Sequence, residues 1–294
     1  AHDLGKLVIK DILKQTLIKP DKIDEVILGQ VLTSNTGQNP ARQAAIISGI
    51  PDDKVSYIVN QVCGSGLRAL ISAYQSILLN NSKIIIAGGQ ESMSCSNKDL
   101  MMKDGLIDAF NNYHMGITAE NVASKWNISR DEQDNFAFNS QKKTQDAIKK
   151  GAFVDEIIKD KKFKLYLDEH PRSDIKLQDL KKLKPAFKKN GTVTPGNSSG
   201  VNDGAAGVLI MRRKYSEKIN LEPLGKIISW ASCGVDPALM GSGPIPATKK
   251  ALKIANWSIK DLDLIEINEA FAAQTLAVIK ELKIPLEIVN LNGG

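Results

Sequence analysis

Ser56-Tyr57-Ile58-Val59-Asn60-Gln61-Val62-Cys63-Gly64-Ser65-Gly66-Leu67-Arg68-Ala69 is the stretch on which the fold turns. Its first six residues predict a short strand. Beyond it, Leu67, Leu70, Ile71, Tyr74 and Leu78 recur at the spacing of one helical face. Cys63 therefore stands where a strand meets a helix, with Gly64 and Gly66 allowing a tight elbow and a close approach of substrate to the backbone. The positive end of a helix dipole favours an anion at that place, which is what a thiolate nucleophile asks for. The ordinary alternative for a free cysteine is a small buried core residue. Cys95 and Cys233 lack such an elbow and take that ordinary reading.

Upstream, the sequence predicts a helix over Leu4 to Leu17, punctuation at Pro20-Asp21, a strand at Glu25-Val26-Ile27-Leu28-Gly29 and a second helix opened by Asn39-Pro40. Downstream, Lys83-Ile84-Ile85-Ile86-Ala87-Gly88-Gly89 is a buried strand ending in glycines. Strands alternating with helices imply βαβ units and a largely parallel sheet, an α/β class. From about Ser94 the character changes: a helical region around Thr118 to Gln145, then a Lys-rich irregular stretch with a turn at Asp168-Glu169-His170-Pro171. Alternation resumes after Asn202-Asp203-Gly204, and Asn268 follows an expected strand at Asp263-Leu264-Ile265-Glu266-Ile267 and precedes an expected helix from Glu269 to Leu282. A weak internal echo sets Leu13, Asp24 and Leu28 on Leu252, Asp263 and Ile267, favouring two similar α/β halves around an insertion. The expected boundaries are residues 1–93, an inserted domain at 94–199, a return at 200–219 and a second half at 220–294.

The 42% hydrophobic and 24% charged composition is that of a globular protein, and every apolar run is interrupted before the ~18–20 residues a membrane helix needs. Three scattered cysteines and three histidines argue against a disulfide framework and a metal centre, so no metal is expected. The lack of a signal-type start favours a cytoplasmic setting. Between Gln141 and Asn190, 14 Lys and one Arg face eight acids, an excess of seven against six for the whole chain. Without interleaved aromatics for base stacking, that field suits phosphates better than nucleic acid.

The runs Asn60 to Ala69, Gly88-Gly89-Gln90-Glu91-Ser92-Met93-Ser94, His114-Met115-Gly116-Ile117-Thr118-Ala119-Glu120-Asn121, Gly196 to Ala206 and Asn268-Glu269-Ala270-Phe271-Ala272 together resemble the thiolases, acetyl-CoA C-acetyltransferases in particular. The resemblance covers nearly the whole chain. It implies two duplicated βαβαβ halves with an inserted loop domain that holds CoA. It implies that Cys63 takes an acetyl group as a thioester and that the enolate of a second acetyl-CoA attacks it in a Claisen condensation to acetoacetyl-CoA. By the same resemblance Asn268 holds a water of an oxyanion hole, and the Cys63 N–H serves a second hole. Arg172 lies near the adenine and phosphates, Ser199 at the pantetheine amide, and His114 with Met115 along the pantetheine arm. Phe187 and Phe271 wall the tunnel. No resident cofactor is implied, the CoA thioesters being substrates. Taken singly, His114 reads equally as a structural histidine, Ser199 as a loop serine and Asn268 as a helix cap.

Two departures bear on activity. Thiolases continue past Asn292-Gly293-Gly294 into a Gly-His-Pro run and a Cys-x-Gly-Gly-Gly run, and neither occurs in this sequence. The sequence thus reads as a fragment cut at both ends, expected not to turn over acetoacetyl-CoA at an enzyme-like rate. Only Cys95 to Met102 separates Ser94 from Lys103, too little for the excursion that ties tetramers together, so a homodimer is expected. The alternatives are a degradative 3-ketoacyl-CoA thiolase and, from another class, a non-catalytic thiolase-like CoA-binding or partner protein.

Overall fold

The computed structural model describes residues 1–164 and 166–294, in two compact units. The first comprises Ala1–Gly105 and Val201–Lys226, the second Leu106–Gly200 and Ile227–Gly294.

In the first unit, helix α1 (His2–Thr16) leads to strand β1 (Glu25–Gly29), helix α2 (Pro40–Ile47), strand β2 (Val55–Val59), helix α3 (Ser65–Leu78) and strand β3 (Ile84–Ser92). A short helix α4 (Lys98–Met101) follows. After the excursion through the second unit the chain returns as strand β4 (Asp203–Met211) and helix α8 (Arg213–Lys218). The sheet order is β2-β1-β3-β4. β1 runs parallel to both neighbours, Gly29 facing Val59 on one side and Gly89 on the other. β4 runs antiparallel to β3, from Ile84 opposite Met211 to Ser92 opposite Asp203.

Helices cover both faces, which is why Val26-Ile27-Leu28 of β1 and Ile84-Ile85-Ile86-Ala87 of β3 are continuous apolar runs. Val26, Leu28, Ile84 and Ile86 pack with Ile9 of α1 and Ala41, Ala44 and Ala45 of α2. The alternate residues Ile27, Ile85 and Ala87 meet Ala69, Ala73 and Ile77 of α3. Small alanines on the helices admit the bulky strand side chains. Each fully buried isoleucine contributes about 1.5–3 kcal/mol of transfer free energy.

Local chemistry sets the helix ends. Asn39 caps α2, its Oδ1 accepting from Arg42 N at 3.1 Å, with Pro40 in the first turn. Gly29 is required by packing: a Cβ there would strike the Ser65–Gly66 backbone. The end of β1 is thereby brought against the start of α3, directly behind Cys63.

The second unit is helical: α5 (Met115–Lys125), α6 (Arg130–Lys149) and α7 (Leu177–Lys182), then α9 (Pro244–Ala255) and α10 (Ala272–Leu282). The helix expected around 118–145 is two helices. Asn127 turns left-handed, and Ser129 with Glu132 forms a capping box that starts α6 afresh. Val278, Ile279, Leu282 and Ile245 form its core with Ile284 and Val289.

The strand expected at Asp263–Ile267 is reduced to a bridge between Ile265 and Val289, with Ile265 N donating to Ile288 O at 2.8 Å. The helix expected from Glu269 begins only at Ala272. The cause is local: the Ala270 carbonyl accepts from Ser199 N, and Ala272 N donates to Asn197 O, both at 2.9 Å. The backbone groups that a longer helix would use are committed to the neighbouring loop.

Candidate active site

In the first unit, Cys63 is exposed just after β2 and two residues before α3 begins. Asn60 Oδ1 accepts from Val62 N at 2.9 Å, and Ser65 Oγ accepts from Gln61 N at 2.9 Å while donating to Val62 O at 2.5 Å. These clamps hold Val62 at φ 48°, a left-handed conformation that a β-branched residue rarely adopts. The elbow's strain therefore sits on Val62. Gly64, expected to supply the conformational freedom, caps α3 at φ −84°, and Gly66 is helical. Packing does not require glycine at Gly66 either, since a Cβ there would meet nothing within 4 Å.

The second unit gathers an aromatic wall. His114 is the N-cap of α5, and its Nδ1 accepts from Gly116 N at 3.0 Å. Nδ1 therefore carries the lone pair, and the neutral ring bears its proton on Nε2, a fixed donor. Burial pushes the His114 pKa below its ordinary value, which keeps this tautomer. Phe187 stacks on the imidazole at 4.6 Å between centroids and 15° between planes, and meets Phe271 edge-on at 6.4 Å. Phe271 bridges Ser198, which places Ser199 beside the same wall. Met115 is the first residue of α5, and Asn268 is exposed on the segment leading to Phe271.

The loop carrying Ser199 is anchored from below. Asn197, 2% exposed, donates to Asp134 Oδ1 at 2.9 Å and accepts from Thr194 N at 2.8 Å. Asp134, fully buried, also accepts from Arg130 Nε at 2.8 Å. This buried, paired carboxylate ties the loop to α6.

With that geometry in view, residues 1–99 and 96–214 match the family described as the thiolase N-terminal domain, and residues 221–294 match the thiolase C-terminal domain. The acetyl-CoA acetyltransferase of Paracoccus denitrificans is 50% identical over 316 residues, covering 100% of this chain and 81% of that protein. A probable acetyl-CoA acyltransferase of Staphylococcus aureus (strain COL) is 46% identical over 318 residues, with the same coverage. The crystal structure of the Bacillus anthracis acetyl-CoA acetyltransferase superposes with a TM-score of 0.94 at 40% identity, covering 100% of this chain and 80% of that one. The chain belongs to the thiolase family.

The thiolase fold, a mixed α/β sheet with helices, is the class the sequence predicts. Arg172 of this thiolase is tied by its backbone to α6. Its backbone N donates to Gln141 Oε1 at 2.9 Å and its carbonyl accepts from Gln145, both on α6, while the residue is exposed. Among the described residues, no three His, Cys, Asp or Glu side chains gather as a metal set. No helix among them is long and apolar enough to cross a membrane.

Sequence reasoning missed Val62 and Gly116. A Cβ at Gly116 would run into the Phe187 ring, so the glycine is what lets that ring lie across the start of α5. A glycine in the first turn of an amphipathic helix, where propensity argues against it, was the available signal.

Proposed function

We propose that this thiolase is an acetyl-CoA C-acetyltransferase that joins two acetyl-CoA molecules into acetoacetyl-CoA and CoA, and runs the reverse thiolysis. The observation that carries the reading is Cys63: an exposed thiol on a strained elbow ahead of α3, in a chain whose relatives are named for this activity. The Cys63 sulfur attacks the thioester carbonyl, the acyl–sulfur bond to CoA breaks, and the thiol proton leaves with CoA. A second acetyl-CoA then loses an α-proton. Its enolate carbon bonds the acetyl carbonyl carbon, the bond to the Cys63 sulfur breaks, and the departing thiolate takes up the proton lost from the α-carbon, regenerating the thiol. Asn268 holds a water that donates to the thioester enolate oxygen, a contribution of about 2.7–4 kcal/mol for donors of this kind.

His114 offers its Nε2–H to the pantetheine arm, beside Met115. Phe187 and Phe271 supply apolar surface, and the exposed residue Ser199 receives the pantetheine amide. The lysines between Gln141 and Asn190, with Arg172, provide the field for the CoA phosphates. The inserted stretch at 94–199 serves as the CoA-binding domain between the halves at 1–93 and 220–294. The reaction uses no resident cofactor. The protein works as a cytoplasmic homodimer, its three free thiols suiting a reducing compartment.

The test is direct. The protein is incubated with acetyl-CoA, quenched in acid, digested and mapped by mass. Acetyl on Cys63 is expected; acetyl confined to Cys95 or Cys233 overturns the assignment.

A further inference from the structure

Helix α5 carries His114 at its start and Glu120 farther along the same helix. Glu120 is 6% exposed. A carboxylate out of water is costly unless hydrogen bonds replace its hydration. Glu120 has no cation among the ion pairs of the described residues. Its oxygens are instead filled by one short piece of backbone. Oε1 accepts from Thr192 N and Val193 N, each at 2.8 Å, and Oε2 accepts from Thr192 N and Thr192 Oγ1, each at 3.0 Å. Gly191 is shaped to this arrangement, since a Cβ there would strike the Glu120 carboxylate.

The clamped backbone leads to the aromatic wall. Val193 O accepts from Ala186 N at 2.9 Å, closing the 186–193 loop on itself. The next residue, Phe187, is the ring that stacks on His114. α5 thus holds this loop at two points, by the carboxylate of Glu120 and by the imidazole of His114, with Gly116 making room between them.

We infer that Glu120 is a positioning residue of the acyl-CoA site: its carboxylate fixes the 186–193 loop so that Phe187 lies on His114 and presents the apolar wall. The inference rests on the acyl-CoA reading given above. It assigns Glu120 no contact with substrate.

Glu120→Gln keeps the volume and one acceptor oxygen but turns an N–H₂ group toward backbone N–H donors. Two readouts separate positioning from bulk stability. In NMR of histidine-labelled protein, the Phe187 ring current shields the His114 imidazole. Its signals in E120Q are expected to move toward their positions in Phe187→Ala. In equilibrium binding, Kd for acetoacetyl-CoA is expected to rise about tenfold, and adding E120Q to F187A should change Kd less than about threefold, because coupled sites are non-additive. Unmoved His114 signals in folded E120Q, or an undiminished Kd effect in F187A, would overturn the inference. Should E120Q not fold, Thr192→Val removes only the hydroxyl bond, and a smaller shift in the same direction is expected; unmoved signals there overturn it equally. The NMR readout needs no turnover. A wild-type protein that takes no acetyl group on Cys63 from acetyl-CoA would sink the functional reading and leave the role of Glu120 decided by the spectrum.

Discussion

Asn290 takes the place of a strand partner for Ile267: its Oδ1 accepts from Ile267 N at 2.7 Å while its Nδ2 donates to Ile267 O at 2.8 Å. The same amide donates to Glu269 Oε1 at 2.6 Å. The residues on both sides of Asn268 are therefore tied to one side chain that is 1% exposed. Main-chain pairing stops after Asn290 N donates to Ile265 O at 2.9 Å, and the amide carries the ladder one step further.

Asn290→Ala is expected to destabilise the protein by about 2–3 kcal/mol, since it strands partly buried backbone groups and not only a side chain. Urea unfolding checks this. Burial already pushes the Glu269 carboxyl above its ordinary value against the pull of the Asn290 bond, so the variant should raise it further. A midpoint equal to wild type would show that the ladder extension carries no weight.

Val62→Gly tests the elbow. A non-glycine residue held left-handed stores about 1–3 kcal/mol, while glycine costs about 0.5–1 kcal/mol in unfolded-chain entropy. Val62 is half exposed, so little packing is lost. The variant should be as stable as wild type or up to about 1 kcal/mol more stable, where Val→Gly elsewhere is damaging. A clear loss in thermal unfolding would refute the strain.

Gly116→Ala sets two magnitudes against each other. Helix propensity favours alanine by about 0.8–1 kcal/mol, but overpacking against a ring costs about 1–3 kcal/mol. Net destabilisation is expected, together with loss of Phe187 shielding at His114. A stabilised variant with unchanged His114 signals would mean that the ring shifts freely.

Much of this was legible in the sequence because the first unit follows simple periodicity. β1 and β3 are built on the apolar runs Val26-Ile27-Leu28 and Ile84-Ile85-Ile86-Ala87, α1 and α3 show apolar faces, and α2 shows its Asn39 cap. What was hidden is what local pattern does not encode. A left-handed valine contradicts its own propensity, and only the Asn60 and Ser65 clamps produce it. The His114–Phe187 stack joins residues far apart in sequence through a loop that Glu120 closes. The expected strand at Asp263–Ile267 has the right composition, yet it forms only a bridge to Val289 because its next partner is a side chain. The break between α5 and α6 was readable: Ser129-x-x-Glu132 is a capping-box pattern.

His114 gives a pH prediction. Burial lowers its pKa, so the folded state binds fewer protons than the unfolded chain between the depressed value and the ordinary one near 6.5. Stability from this group is thus fully present above that ordinary value, and is lost as pH falls through it toward the folded value. Protonation would also abolish the acceptor at Nδ1 and the cap on Gly116 N. The His114 NMR titration should have its midpoint below 6.5, and His114→Phe should flatten stability against pH in that range. A midpoint above the ordinary value would mean that the ring is charged and the N-cap bond from Gly116 N lost.

The proposed dimer has a surface to act through. β2 lies at the sheet margin with Val55 57% exposed, and Leu67 and Leu79 are each 71% exposed on and after α3. An edge strand beside exposed leucines invites pairing with a second copy about a two-fold axis, the commonest closed symmetry. The stretch after Ser94 contains only the four-residue α4 before Met102, which cannot reach out and return as a long hairpin. Light scattering at micromolar concentration should give the mass of two chains, falling toward one chain in Val55→Lys, where a charge interrupts the edge. A four-chain mass persisting on dilution would place the association elsewhere on the molecule, and so would a dimer indifferent to Val55→Lys.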